Sequence, residues 1–138
     1  MTKELWINLP VKDVKKSREF FTRIGFSTNT TFPETEQSSS IFAGTKNIVI
    51  MLFVESVFQG FSQNKLPDTK QSTEVLFSLD AESKEEVNAL AEKVKNAGGT
   101  LYANPAESQG WMYGFGFLDL DGHRWNVLYM DMNKMPKG

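Results

Sequence analysis

The order of elements in this chain repeats, and few folds accommodate that order. Read by hydrophobic period and turn residues, the first half runs strand (Glu4–Val11), helix (Val14–Ile24) and strands over Phe26–Phe32, Ser38–Gly44 and Asn47–Glu55. Residues 56–71 show no clear period and are expected to form a loop, with Phe58 and Phe61 partly buried. The order then restarts with a strand (Ser72–Ala81), a helix (Ser83–Gly99) and strands over Thr100–Pro105, Gly110–Asp119 and His123–Asp131. A single domain with only two helices and four strands would leave strands without a place. The pattern instead predicts an α+β fold of two βαβββ modules, residues 4–55 and 72–131, within one domain over 1–131. The modules are expected to pair, with curled mixed sheets around a central cleft and the helices outside. The tail, 132–138, is expected to be flexible.

Local chemistry supports each helix. Asp13 is a good N-cap, Val14, Ser17, Phe21 and Ile24 form one stripe, and Gly25 sits where a left-handed stop is wanted. In the second half Ser83 and Glu86 have capping-box spacing, followed by a stripe of Val87, Leu90, Ala91, Val94 and Ala97. The strand "NIVIMLFVE" is apolar on both faces, so both are expected to be covered. In "HRWNVLYMD", alternation puts Arg124, Asn126, Leu128 and Met130 on one face and Trp125, Val127 and Tyr129 on the helix side.

Composition narrows the function classes. Net charge is -2 and no basic block occurs, so neither nucleic acid nor an anionic membrane is an expected partner. The run "IVIMLFV" is too short to span a bilayer, and the N-terminus lacks an apolar signal core. The chain has no cysteine, which removes disulfides, thiolate metal sites and cysteine nucleophiles. A cytoplasmic location is the expectation.

Three stretches carry a resemblance: "INLPVKDVKKSREFFTRIGF", "TEVLFSLDAESKEEVNALAEKVKNAGG" and "MYGFGFLDLDGHRWNVLYMD". Together they resemble the vicinal oxygen chelate superfamily, which includes glyoxalases, bleomycin- and fosfomycin-resistance proteins and extradiol dioxygenases. The resemblance implies the paired-module fold. It also implies a site of four inward side chains, commonly histidine or glutamine, glutamate, histidine and glutamate, which grip one divalent ion in metal-dependent relatives. The matching positions here are Asn8, Met51 or Phe53, Glu74 and Asn126. Asparagine is a weak neutral donor and methionine or phenylalanine is no ligand for a hard cation, so no metal or other cofactor is expected. One divalent ion is the alternative. Relatives often dimerise, so a homodimer is expected too.

The candidate site follows. Asn8 and Asn126 would hydrogen-bond a ligand or satisfy each other or water. Glu74 is the candidate catalytic acid or base; alternatively it forms a salt bridge with Arg124. Arg124 alternatively holds an anionic group. Trp6, Trp111 and Tyr113, with Met51 and Phe53, would wall a pocket for a planar or apolar molecule, or serve as core and dimer packing. His123, two residues after Asp121 in "DLDGH", reads as a turn residue, with a general base as the alternative. The expected function is metal-free binding of a small organic molecule. The alternatives are a divalent-metal-dependent lyase, isomerase or transferase using Glu74, and a non-catalytic structural or regulatory dimer.

Overall fold

Capping chemistry sets where the helices begin. The Asp13 carboxylate accepts the Lys16 N–H at 3.0 Å, and the Ser83 hydroxyl accepts the Glu86 N–H at 3.1 Å. Glu86 reaches back to the Glu82 N–H at 2.8 Å, one residue before the cap. Gly25 (φ +117) and Gly98 (φ +100) take the left-handed turns that follow the two helices, a conformation side chains disfavour.

The computed structural model describes residues 1–137; Gly138, the end of the tail expected to be flexible, lies outside them. The chain divides into two units, Met1–Lys70 and Gln71–Gly138. The first contains β1 (Trp6–Val11), α1 (Val14–Arg23), β2 (Ser27–Thr28), β3 (Ser38–Ala43), β4 (Ile48–Val54) and α2 (Glu55–Ser62). The second contains β5 (Leu76–Ala81), α3 (Lys84–Asn96), β6 (Thr100–Ser108), β7 (Met112–Leu118) and β8 (Arg124–Met130). Among the described residues no helix is long and apolar enough to cross a membrane.

Each unit holds a mixed four-stranded sheet, in the orders β1-β4-β3-β2 and β5-β8-β7-β6. The β1–β4 and β5–β8 pairs are parallel and the others antiparallel. The curled sheets expected from the sequence do not form. Each sheet stays open, with β1 and β2, or β5 and β6, as its two edges. Closure needs strands long enough to tilt and stagger around an axis, and β2 is only 2 residues long. Its expected span, Phe26–Phe32, ends early because Asn29 diverts the backbone. The Asn29 side chain accepts the Thr31 N–H at 3.1 Å and donates to the Ser40 hydroxyl at 3.0 Å.

One face of each sheet packs on its helix. In the first unit Leu9, Val11, Phe20, Phe21, Ile41, Ile50 and Leu52 are buried. In the second, Val87, Ala91 and Val94 of α3 are buried along with Trp125, Val127, Phe115 and Phe117 of the sheet. Trp125 stacks on Phe117 at 6.0 Å between centroids and meets Phe77 at 4.7 Å. The stretch expected to be a loop is helical over Glu55–Ser62. This helix has no side-chain cap and contains Gly60, so its sequence signal is weak. Phe61, expected to be partly buried, is 69% exposed, yet it meets Phe53 edge-on at 5.1 Å. At the start of the tail, the Asp131 carbonyl accepts the Lys134 N–H at 3.0 Å.

Candidate functional site

Strand alternation assigns the side chains of the second sheet to two faces. Phe77, Trp125, Val127 and Phe117 face α3. Leu76, Ser78 and Asp80 of β5, Arg124, Asn126, Leu128 and Met130 of β8, and Gly114 and Gly116 of β7 share the other face. The register places Ser78 and Gly116 on either side of Asn126. Asn126 is thus flanked on this face by a serine and a glycine.

β6 supplies an aromatic that covers the glycine. Leu101 pairs with Phe117 and Ala103 with Gly116, so Tyr102 is the extra residue of a β-bulge. Its ring lies over Gly116: a Cβ added there would stand 2.3 Å from Tyr102 Cζ. The Tyr102 hydroxyl donates to the Trp125 carbonyl at 3.3 Å. The Arg124 guanidinium stacks on the same ring, 4.6 Å from its centroid. Among the described residues no carboxylate lies within ion-pair distance of Arg124.

Asn126 is the anomaly of this face. Its Oδ1 is buried and has no hydrogen-bond partner. Such an oxygen costs about 1–3 kcal/mol while it stays unpaired, so native proteins keep few of them. The anomaly stands beside a half-buried arginine without a counter-ion. Two residues apart on one strand, they offer one unmet acceptor and one cation that is stacked on a ring but has no carboxylate beside it.

The other residues singled out in the sequence lie as follows. Glu74 is exposed, two residues ahead of β5, and does not pair with Arg124. Tyr113 is on the α3 side, where its hydroxyl donates to Asn88 Oδ1 at 2.8 Å, so it does not join the face of Asn126. Trp111 precedes β7, and its indole N–H is buried without a partner. In the first unit, Trp6 and Asn8 share the face away from α1 with Met51 and Phe53, and Asn8 stands level with Met51. Trp6 is 45% exposed and meets Phe32 edge-on at 5.3 Å, Asn8 is exposed, and Met51 is buried.

His123 belongs to the turn before β8. Asp119 organises that turn: its Oδ1 accepts the backbone N–H groups of Asp121 and His123, both at 3.0 Å. Its Oδ2 accepts the Trp125 indole N–H, also at 3.0 Å. Burial pushes the Asp119 carboxyl above its ordinary range, against the opposing pull of His123 and these donors. The group therefore holds the turn and anchors the core tryptophan.

Metal-dependent relatives require a donor set that this chain lacks. Among the described residues no three His, Cys, Asp or Glu side chains gather as a metal site. The side chains at the matching positions are two amides, a thioether or phenyl ring, and one exposed carboxylate. The one orphaned donor among them, Asn126 Oδ1, is neutral and suits an N–H or O–H better than a dication. The residues present do not fit a resident divalent ion.

Comparison with known proteins agrees with this architecture. A family model described as the Glyoxalase/Bleomycin resistance protein/Dioxygenase superfamily matches residues 5–127. Among solved structures, a hypothetical protein from S. aureus is 37% identical, with 94% of each chain covered and a TM-score of 0.81. A glyoxalase/bleomycin resistance protein/dioxygenase family enzyme from Burkholderia phytofirmans PsJN is 17% identical, covering 91% of this chain and 96% of that one, with a TM-score of 0.76. A glyoxalase-related enzyme from Fulvimarina pelagi is 18% identical, covering 100% and 94%, with a TM-score of 0.76. The last two likenesses are of fold alone. No curated protein matched the sequence.

Proposed function

Because this chain belongs to the glyoxalase/bleomycin resistance protein/dioxygenase superfamily, we propose that it binds a small organic molecule, without a resident metal, on the sheet face that carries Asn126. The buried, partnerless Oδ1 of Asn126 carries this reading. A ligand N–H or O–H reaching that oxygen relieves a cost the free protein bears. Ser78 stands beside it on β5 and Gly116, under the Tyr102 ring, on β7, and Leu76, Leu128 and Met130 supply apolar surface. Binding or carriage of the molecule is favoured over turnover, since Glu74 is exposed and makes no bond that would orient it as a base.

A broad small-molecule panel, read by thermal shift and calorimetry, tests the reading. A true ligand at one hundred times its Kd stabilises the fold by about 2.7 kcal/mol, and Asn126→Leu should remove that gain. Nickel, manganese, zinc and iron salts should not bind stoichiometrically to metal-free protein. The absence of any saturable ligand, or one tightly held ion per chain, overturns the proposal.

A homodimer is a second proposal, favoured by apolar residues at two open edges. Leu5 and Trp6 are exposed at β1, and Val75 and Leu76 at β5, and each strand is an edge of its sheet. Unpaired edges of this kind invite another strand. Light scattering at micromolar concentration should give twice the chain mass; a monomer discards the proposal.

A further inference from the structure

The proposed small-molecule site can be read more narrowly, and the inference here rests on that reading. We propose that its ligand is a hydroxy- or amino-carboxylate of single-ring size, whose anion pairs with Arg124 and whose O–H or N–H donates to Asn126 Oδ1, with Tyr102 as the movable cover. Arg124 and Asn126 are two residues apart on one strand, so they project from the same face at levels about 7 Å apart. One is a cation with no carboxylate among the described residues; the other is a buried acceptor with no donor. A ligand with an anion at one end and a donor at the other satisfies both. The ends of a ring bearing para substituents are comparably far apart.

The surroundings favour an acid. The carboxylate that β5 puts on this face, Asp80, stands level with Leu128, about 13 Å along the strand from the level of Arg124. It therefore repels an anion at Arg124 weakly. A planar guanidinium already seated on an aromatic ring keeps its in-plane N–H groups free for a carboxylate. Tyr102 is the part that gives way. Asn126 Oδ1 is covered, and the ring over its neighbour Gly116 is held by one long hydrogen bond and by the arginine stack. Tyr102 is also 40% exposed, on the edge strand of its sheet. No covalent bond is made or broken in this step; the ligand takes the stack and the acceptor as Tyr102 turns aside and gives up its hydrogen bond to the Trp125 carbonyl.

Calorimetry with 4-hydroxybenzoate, benzoate and 4-hydroxybenzamide on the full chain tests the assignment. The hydroxy acid should bind saturably, and benzoate, lacking the donor, about tenfold more weakly. The neutral amide should bind at least tenfold more weakly than the hydroxy acid. Arg124→Gln should lower affinity for both acids without changing that for the amide, and Arg124→Lys should restore much of the loss. Asn126→Leu should abolish the preference for 4-hydroxybenzoate over benzoate. Circular dichroism confirms that each variant is folded, and the wild-type preference for 4-hydroxybenzoate over 4-hydroxybenzamide decides if the glutamine variant is not. Equal binding of acid and amide, indifference to Arg124→Gln, or binding of none of the three overturns the inference. If neutral molecules from the broad panel still bind, the proposed function survives that outcome; if nothing binds, both fall.

Discussion

Gly116→Ala should drive the Tyr102 ring off the strand it covers. The new Cβ would stand 2.3 to 2.6 Å from Tyr102 Cζ, Cε1 and Oη, the three nearest atoms to it. Those atoms end a side chain at the sheet edge, so the ring swings away and the backbone stays. The loss is then the Tyr102–Trp125 hydrogen bond, about 1 kcal/mol, plus the Arg124 stack, about 0.5–1 kcal/mol. Replacing a strand glycine returns roughly 0.5 kcal/mol through the unfolded chain. The net cost is about 1 kcal/mol, or roughly 3–5 °C in Tm for a chain of this size. In a Tyr102→Ala background the obstruction is gone, and Gly116→Ala should become neutral or stabilising by about 0.5 kcal/mol. Urea unfolding of the four proteins in the cycle measures a coupling of about 1.5 kcal/mol. Equal costs in the two backgrounds would falsify the position given to Tyr102.

Gly114→Ala should behave differently, because the atom in its way is the Val127 carbonyl oxygen, at 2.2 Å. No rotamer relieves that contact, so a loss of about 3 kcal/mol is expected whatever stands at residue 102; a drop in Tm below about 3 °C would contradict it. Asp119→Ala strands the buried Trp125 indole N–H and should cost about 3 kcal/mol, visible as a lower urea midpoint and altered near-UV dichroism. Because burial raises the folded-state pKa of Asp119, its contribution is fully present below the ordinary aspartate range. It declines as pH rises through the raised value, so the Tm advantage of wild type over Asp119→Asn should shrink across that window; an advantage that grows with pH refutes the direction. Glu74→Ala should leave binding of any ligand found in the panel unchanged within twofold, and a loss of ten times or more would return Glu74 to the site.

The elements that could be read from sequence are those whose signal is local. Asp13, Ser83 and Glu86 mark helix starts by chemistry that acts within three residues. The alternation from Arg124 to Met130 forecast the two faces of β8, because packing on α3 buries Trp125 and Val127 together. What escaped was set by partners distant in sequence or by side-chain competition. Asn29 cut β2 short through its contacts with Ser40, and α2 forms where Phe61 meets Phe53, without a cap or regular stripe. Sheet curling was expected from the repeated order of elements, but both sheets stay open, and in the first unit β2 is too short to help close one. Within the candidate site, Asn126 and Arg124 were visible but Tyr102 was not. The glycines of "YGFGF" were the available trace, since a strand face stripped of side chains at alternate positions awaits something laid across it.

The bulge in β6 makes the aromatic cover a surplus residue. Leu101 already has Phe117 opposite it and Ala103 has Gly116, so excising residue 102 would close the ladder rather than break it. A one-residue deletion inside a strand ordinarily turns every later side chain to the wrong face. Here the same deletion would make the strand more regular and take away only what rests above it. Architecture and recognition are thus written in separable letters at this point of the gene, and selection can add, drop or exchange the cover without renegotiating the sheet beneath.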